Sequence, residues 1–171
     1  MSLSPLSLII GPDPIFRKKA QSVENVDENV VAKAKGLRDL LKREKGVGIG
    51  ANMAGLLDRI IVVDLPGSDV MMPLYMINPE ITEKSEETQS YEEASLSFPG
   101  VSAEIKRPAK ITVHYLDLNA EQQNLTAIGF LATVIQHEVD YLDGVLFFDH
   151  LSKLKRDALL RKYKKLRKVD G

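Results

Sequence analysis

Residues 136–144 read Gln136-His137-Glu138-Val139-Asp140-Tyr141-Leu142-Asp143-Gly144, and the fold turns on how this stretch is read. In a helical metallohydrolase, H-E-x-x-H sets two imidazoles at i and i+4 on one face, where both reach one metal ion. The intervening Glu sits beside the metal-bound water as general base. Here His137 and Glu138 are present, and Tyr141 stands at the second His position. Taken alone, the pattern fits either an altered metal site or a polar patch on an amphipathic helix. The flanks favour a helix in both cases: Phe130, Leu131, Val134, Ile135 and Leu142 fall on one side from near Gly129, and Gly144 ends it.

Downstream, the pattern predicts a last helix from about Leu151, with Leu154, Ala158, Tyr163 and Leu166 as its apolar stripe. Upstream, Ala109 to Asp117 alternates as a strand, and Asn119-Ala120 turns it into a further short one. Arg59 to Leu65 is apolar and β-branched, a buried strand, and Leu74 to Asn78 returns as another before Pro79. Residues 80–93 are polar and at best strand-like, and Pro99-Gly100 marks a turn. Nearer the start, Asp27 is placed to cap a helix running to about Lys45. Its apolar face is Val30, Val31, Ala34, Leu37, Leu40 and Leu41, Gly46 is its stop, and a glycine-rich bend follows to Gly50. Short strands in runs, between helices segregated in sequence, predict an α+β fold.

The 171 residues suffice for one domain with one core, and 44% apolar against 27% charged residues is an ordinary globular balance. No apolar run approaches the roughly 18–20 residues that span a bilayer, and no basic segment precedes a long apolar one at the start. Neither a membrane anchor nor a secretory leader is expected. Absence of cysteine excludes disulfides, thiolate metal sites and a nucleophilic thiol, and is compatible with a reducing compartment. The net charge of −1 hides an asymmetry: residues 151–171 carry a local +7 and the other 150 residues −8. A basic helix of this kind suits an anionic surface; a solvated helix docked by its apolar stripe is the plainer alternative.

The 136–144 stretch with Val145-Leu146-Phe147 resembles the third motif of peptide deformylases, QHExDHLxGxLF. Glu93-Ala94-Ser95-Leu96-Ser97-Phe98-Pro99-Gly100 resembles the second, EGCLSxPG, and Gly46-Val47-Gly48-Ile49-Gly50-Ala51-Asn52-Met53 the first, GxGLAAPQ. Asp13-Pro14-Ile15-Phe16-Arg17-Lys18-Lys19-Ala20, Ile77-Asn78-Pro79-Glu80-Ile81 and Arg107-Pro108 also match, all in the family's order across residues 10–152. The resemblance implies a deformylase-like fold over residues 1–171: mostly antiparallel short strands around a central HExxH-type helix, with N- and C-terminal helices. It also implies a cytoplasmic place in protein biosynthesis, removing the formyl group from the N-terminal Met of nascent chains.

Deformylases hold a divalent iron or similar metal with one Cys and two His. By that correspondence His137 matches one ligand and Glu138 the general acid/base, while Ser95 and Tyr141 replace the other two ligands. Met53 replaces the Gln whose amide helps bind the developing oxyanion, and the backbone N–H of Leu96 is the second oxyanion donor. Gly46, Val47, Gly48 and Ile49 would line the substrate groove, and Glu93 with Arg107 would brace the metal loop. At pH 7 a Cys costs about 2 kcal/mol to ionise and a Tyr about 4, and a serine hydroxyl far more, so the hydroxyls are weak ligands. Met53 cannot donate a hydrogen bond, and losing one oxyanion donor costs about 10²–10³ in rate. No cofactor is therefore expected; any that is held would be a divalent metal (iron, nickel or zinc). The expected partners are peptide N-termini in the groove and ribosomal RNA at the basic helix, with no membrane. The alternative is an active metal-dependent deformylase or amide hydrolase with altered ligands. His114 and His150 read as ordinary surface or packed residues.

Overall fold

A computed structural model describes residues 4–170; residues 1–3 and 171, the ends of the expected domain and basic tail, lie outside the described residues. Helix α1 (Glu28–Arg43) starts where the Asp27 side chain accepts from Val30 N at 3.0 Å, and it buries Val30, Ala34, Leu37, Leu40 and Leu41. Capping of this kind satisfies a donor that the first turn leaves free. The helix ends with Lys45 in the left-handed region (φ 57°), one residue before the glycine expected to stop it. Gly48–Gly50 then forms strand β1 rather than a bend, because it pairs antiparallel with β2 (Ile60–Val63).

Five strands make one antiparallel sheet in the order β1-β2-β3-β6-β7, with β3 spanning Leu74–Lys84, β6 Lys110–Leu116 and β7 Gln122–Ile128. Strand β3 does not stop at Asn78. Asn78 takes φ 53° and the register to β6 shifts between Ile77 and Glu80, a bulge that accommodates Pro79 without a ladder donor. Strands β4 (Thr88–Ser95) and β5 (Phe98–Pro108) form a separate hairpin. Its turn lies at Leu96-Ser97. Pro99 and Gly100 belong to β5, where a register shift after Ala94 and φ 90° at Gly100 absorb the irregularity.

Helix α2 (Gly129–Leu142) lies between two apolar clusters and buries every residue from Leu131 to Val139, plus Tyr141 and Leu142. Leu131, Ala132, Val134, Ile135, Val139 and Leu142 pack toward the five-stranded sheet, while Tyr141 enters the second cluster with Phe16, Met53 and Phe147. A helix covered on all sides explains its one-sided pattern in the sequence being incomplete: its polar residues are interior. Helix α3 (Lys153–Asp170) docks on β5 through Leu159 and Tyr163, with Leu160 and Leu166 half-buried. Leu154 and Ala158, expected on that stripe, face solvent; the Tyr163 hydroxyl donates to Gly11 O and its ring tilts on Phe98, which fixes the helix rotation. No helix among the described residues is long and apolar enough to cross a membrane.

Candidate active site

Helix α2 offers His137, Glu138 and Tyr141 to a region faced by the β4–β5 hairpin. Along β4 side chains alternate, so Glu93 and Ser95 share the buried face, and Ile105 and Arg107 continue it on β5. The third wall is the chain from Gly46 to Gly48. Together these segments enclose a cavity of about 450 Å³ lined by Gly46, Val47, Gly48, Met53, Glu93, Ser95, Leu96, Phe130, Val134, His137 and Glu138, among others. Ile49, expected in this groove, does not line it. Alternation along β1 turns it into the core, fully buried.

At the hairpin end, Ser95 Oγ and the Tyr141 hydroxyl share a buried hydrogen bond, and Ser97 N donates to the same Oγ at 3.1 Å. Burial pushes the Tyr141 phenol well above its ordinary value despite the bond from Ser95. The phenol stays protonated at any physiological pH. Asn52 Nδ2 donates to the Tyr141 carbonyl at 2.8 Å, and Phe16 meets the Tyr141 ring edge-on. Met53 lies in the cavity wall with its sulfur folded back to accept from Gly50 N at 3.4 Å.

His137 is held by a buried network. Its Nδ1 lies 2.8 Å from Glu93 Oε1, and Arg107 grips the same carboxylate through Nε (2.7 Å) and Nη2 (2.9 Å). Burial pushes the Glu93 carboxyl up, but the hydrogen bonds from His137 and Arg107 outweigh it and hold the group below the usual carboxylate range. An ionised Glu93 can only accept, so Nδ1 carries the proton and Nε2 is left as the free ring nitrogen. Phe147 stacks on the imidazole with ring centroids 5.8 Å apart. A second arm runs outward: Arg107 Nη1 donates to Asp140 Oδ2 at 2.8 Å, and exposed His150 meets that oxygen at 2.9 Å.

Glu138 differs from Glu93. Only 4% exposed, it has one carboxyl oxygen, Oε1, without a hydrogen-bond partner among the described residues. Burial pushes its carboxyl up to about 7. Gly48 leaves it room: a Cβ there would come within 2.9 Å of both Glu138 Oε2 and Val134 Cγ1.

The sequence-predicted residues therefore meet at one place. His137, Ser95, Glu138, Met53 and Leu96 line the cavity, with Tyr141 just behind its wall, bonded to Ser95. The Glu93–Arg107 pair is present, but sequence reasoning missed its extension to Asp140 and His150, and the Asn52 contact. Arg107 carries five donors, more than one carboxylate can absorb, and Asp140 lies one helical turn from His137; those two facts were the available signal. His114 is exposed on β6 opposite Glu80, away from the cavity. Among the described residues no group of three or more His, Cys, Asp or Glu side chains is placed to hold a metal ion. The donors at the family's ligand positions are one imidazole nitrogen and two hydroxyls that bond each other.

The sequence pattern described as polypeptide deformylase matches residues 5–157. A peptide deformylase-like protein of Rickettsia conorii is 50% identical over 155 residues, covering 91% of this chain and 85% of that protein. A peptide deformylase of Rhizobium meliloti is 41% identical, covering 100% of this chain and 98% of its own length. Among solved structures, the peptide deformylase of Ehrlichia chaffeensis in complex with actinonin superposes with a TM-score of 0.90 at 34% identity, covering 95% and 98% of the two chains. With ordered motifs, a shared fold and full-length similarity in agreement, the chain belongs to the peptide deformylase family.

Proposed function

We propose that this protein uses the deformylase groove to bind peptide N-termini and has lost metal-dependent deformylation. The observation that carries the reading is the hydrogen bond between Ser95 and Tyr141, which joins the two substituted ligand positions. To bind zinc or ferrous iron, both hydroxyls would have to give up that bond, and a phenol already driven upward by burial would have to ionise. His137 alone is an ordinary ligand, so the residues present do not fit the family's metal. Met53, with no donor to offer an oxyanion, is altered in the same direction. The groove itself persists: its walls at Gly46, Val47, Gly48 and Leu96 are open to a cavity large enough for a side chain and its backbone.

The exposed Lys and Arg residues of α3 fit a second contact, with an anionic surface such as ribosomal RNA, which would weaken steeply with salt. One observation favours the alternative of a working hydrolase with altered ligands: Glu138 is retained, buried, and shifted toward neutrality, as suits a general acid/base.

The two readings separate in one assay. Under the proposal, the purified chain binds methionyl peptides but releases no formate from formyl-Met-Ala-Ser, even after anaerobic loading with iron or nickel. Release of formate well above a Glu138→Gln control overturns it. In addition, Ser95→Cys, Tyr141→His and Met53→Gln together should restore metal binding, because the Glu93–Arg107 brace on His137 is intact.

A further inference from the structure

The cavity presents an unusual balance of hydrogen-bonding groups to a ligand. Ser95 and Tyr141 satisfy each other, so their hydroxyls are engaged. Met53 sulfur is taken by Gly50 N. Arg107, the buried cation nearby, spends Nε and Nη2 on Glu93 and Nη1 on Asp140. What remains on the inner wall is mostly acceptors: Glu138, with its partnerless Oε1, and Nε2 of His137, whose Nδ1 proton goes to Glu93, beside the Thr133 hydroxyl, which accepts from Gln89. At the outer rim, Glu44 and Glu92 outnumber Lys45, and all three are exposed.

A buried carboxyl oxygen with no partner is costly, and the ligand that relieves it brings donors. An N-formyl group brings the opposite: a carbonyl oxygen that needs donors, in a site where Met53 has none and the side-chain donors are the Thr133 hydroxyl and Lys45 at the rim. An α-ammonium brings three N–H donors, and its positive charge suits the acidic rim. We infer that the cavity takes peptides with a free N-terminal ammonium, held by Glu138 and His137 Nε2, in preference to N-formylated ones. The walls of Val134, Leu96 and Phe130 supply an apolar seat for the first side chain. This rests on the peptide-binding reading above and reverses the selectivity that the family's reaction would need for its substrate.

The test is calorimetric titration of the full chain, without added metal and near neutrality, with Met-Ala-Ser, formyl-Met-Ala-Ser and acetyl-Met-Ala-Ser. A blocked N-terminus keeps one N–H where the free one has three, and losing two donors aimed at Glu138 Oε1 and His137 Nε2 predicts that both blocked peptides bind at least about tenfold more weakly than the free one. Glu138→Gln should bring the free and formylated peptides to near parity, while the wild-type comparison needs no variant to fold. Equal or tighter binding of the formyl peptide, or a free-amine preference unchanged in Glu138→Gln, overturns the inference while leaving peptide binding intact. If none of the three peptides binds, the inference and the peptide-binding reading fall together.

Discussion

Ser95 Oγ and the Tyr141 hydroxyl bond each other across the junction of the β4–β5 hairpin and helix α2, where the family's motifs place two metal ligands. Each hydroxyl is buried, and each is the other's side-chain partner. The bond therefore works as a structural clasp, tying the hairpin to the central helix.

Removing both halves should cost less than the two single removals added together. Tyr141→Phe leaves the Ser95 hydroxyl without its phenol, and Ser95→Ala leaves a buried phenol unpaired; each is expected to cost about 1–3 kcal/mol. The double variant should be less destabilised than the sum, giving a coupling of about 1 kcal/mol or more in urea unfolding. Strict additivity would show that the clasp carries no energy.

Arg107 satisfies two carboxylates while only 4% exposed. Arg107→Met should destabilise by about 3–5 kcal/mol, because Glu93 would stay buried without its countercharge. Lys153→Met, at the exposed pair with Asp157 on α3, should leave the unfolding midpoint unchanged. Denaturant titration of the two variants side by side reads the contrast.

Glu138 makes stability depend on pH with a definite sign. Its carboxyl titrates near 4.5 when unfolded and at about 7 when folded. Between those values the unfolded chain has released its proton and the folded chain retains it, so this group lowers stability as pH rises and leaves the full penalty in place above about 7. Glu138→Gln should therefore be more stable than wild type at alkaline pH, by on the order of 3 kcal/mol, and should converge with it toward pH 4. Chemical unfolding across that range measures the difference; parallel curves would show an ordinary carboxyl.

Gly48→Ala tests the packing beneath the groove. The added Cβ meets Glu138 Oε2 and Val134 Cγ1, each at 2.9 Å, on a buried strand. A cost of about 1–3 kcal/mol is expected, with weaker peptide binding. A thermal melt and one titration check both.

Much of this was legible in the sequence. Capping by Asp27, the apolar run at 60–63 and the alternation at 110–116 are local signals, and each formed the expected element. The strand role of Gly48–Gly50 was not legible, because three small residues carry no β signal and pair only through a distant partner at 61–63. Likewise, Pro79 and Pro99-Gly100 read as ends, yet bulges keep their strands going. At the site, spacing and motif order were enough to group His137, Ser95 and Tyr141. The loss of Ile49 to the core, the exposure of Leu154 and the Asp140 arm of the network depend on orientation, which composition does not encode.

The proposed loss of metal binding rests on the two substituted ligand positions bonding each other. Elemental analysis of the full chain, loaded anaerobically with ferrous iron or nickel and then freed of excess by gel filtration, tests it most directly. The predicted result is a metal content far below stoichiometric, unchanged in His137→Ala. A content near one ion per chain that disappears in His137→Ala would contradict the account.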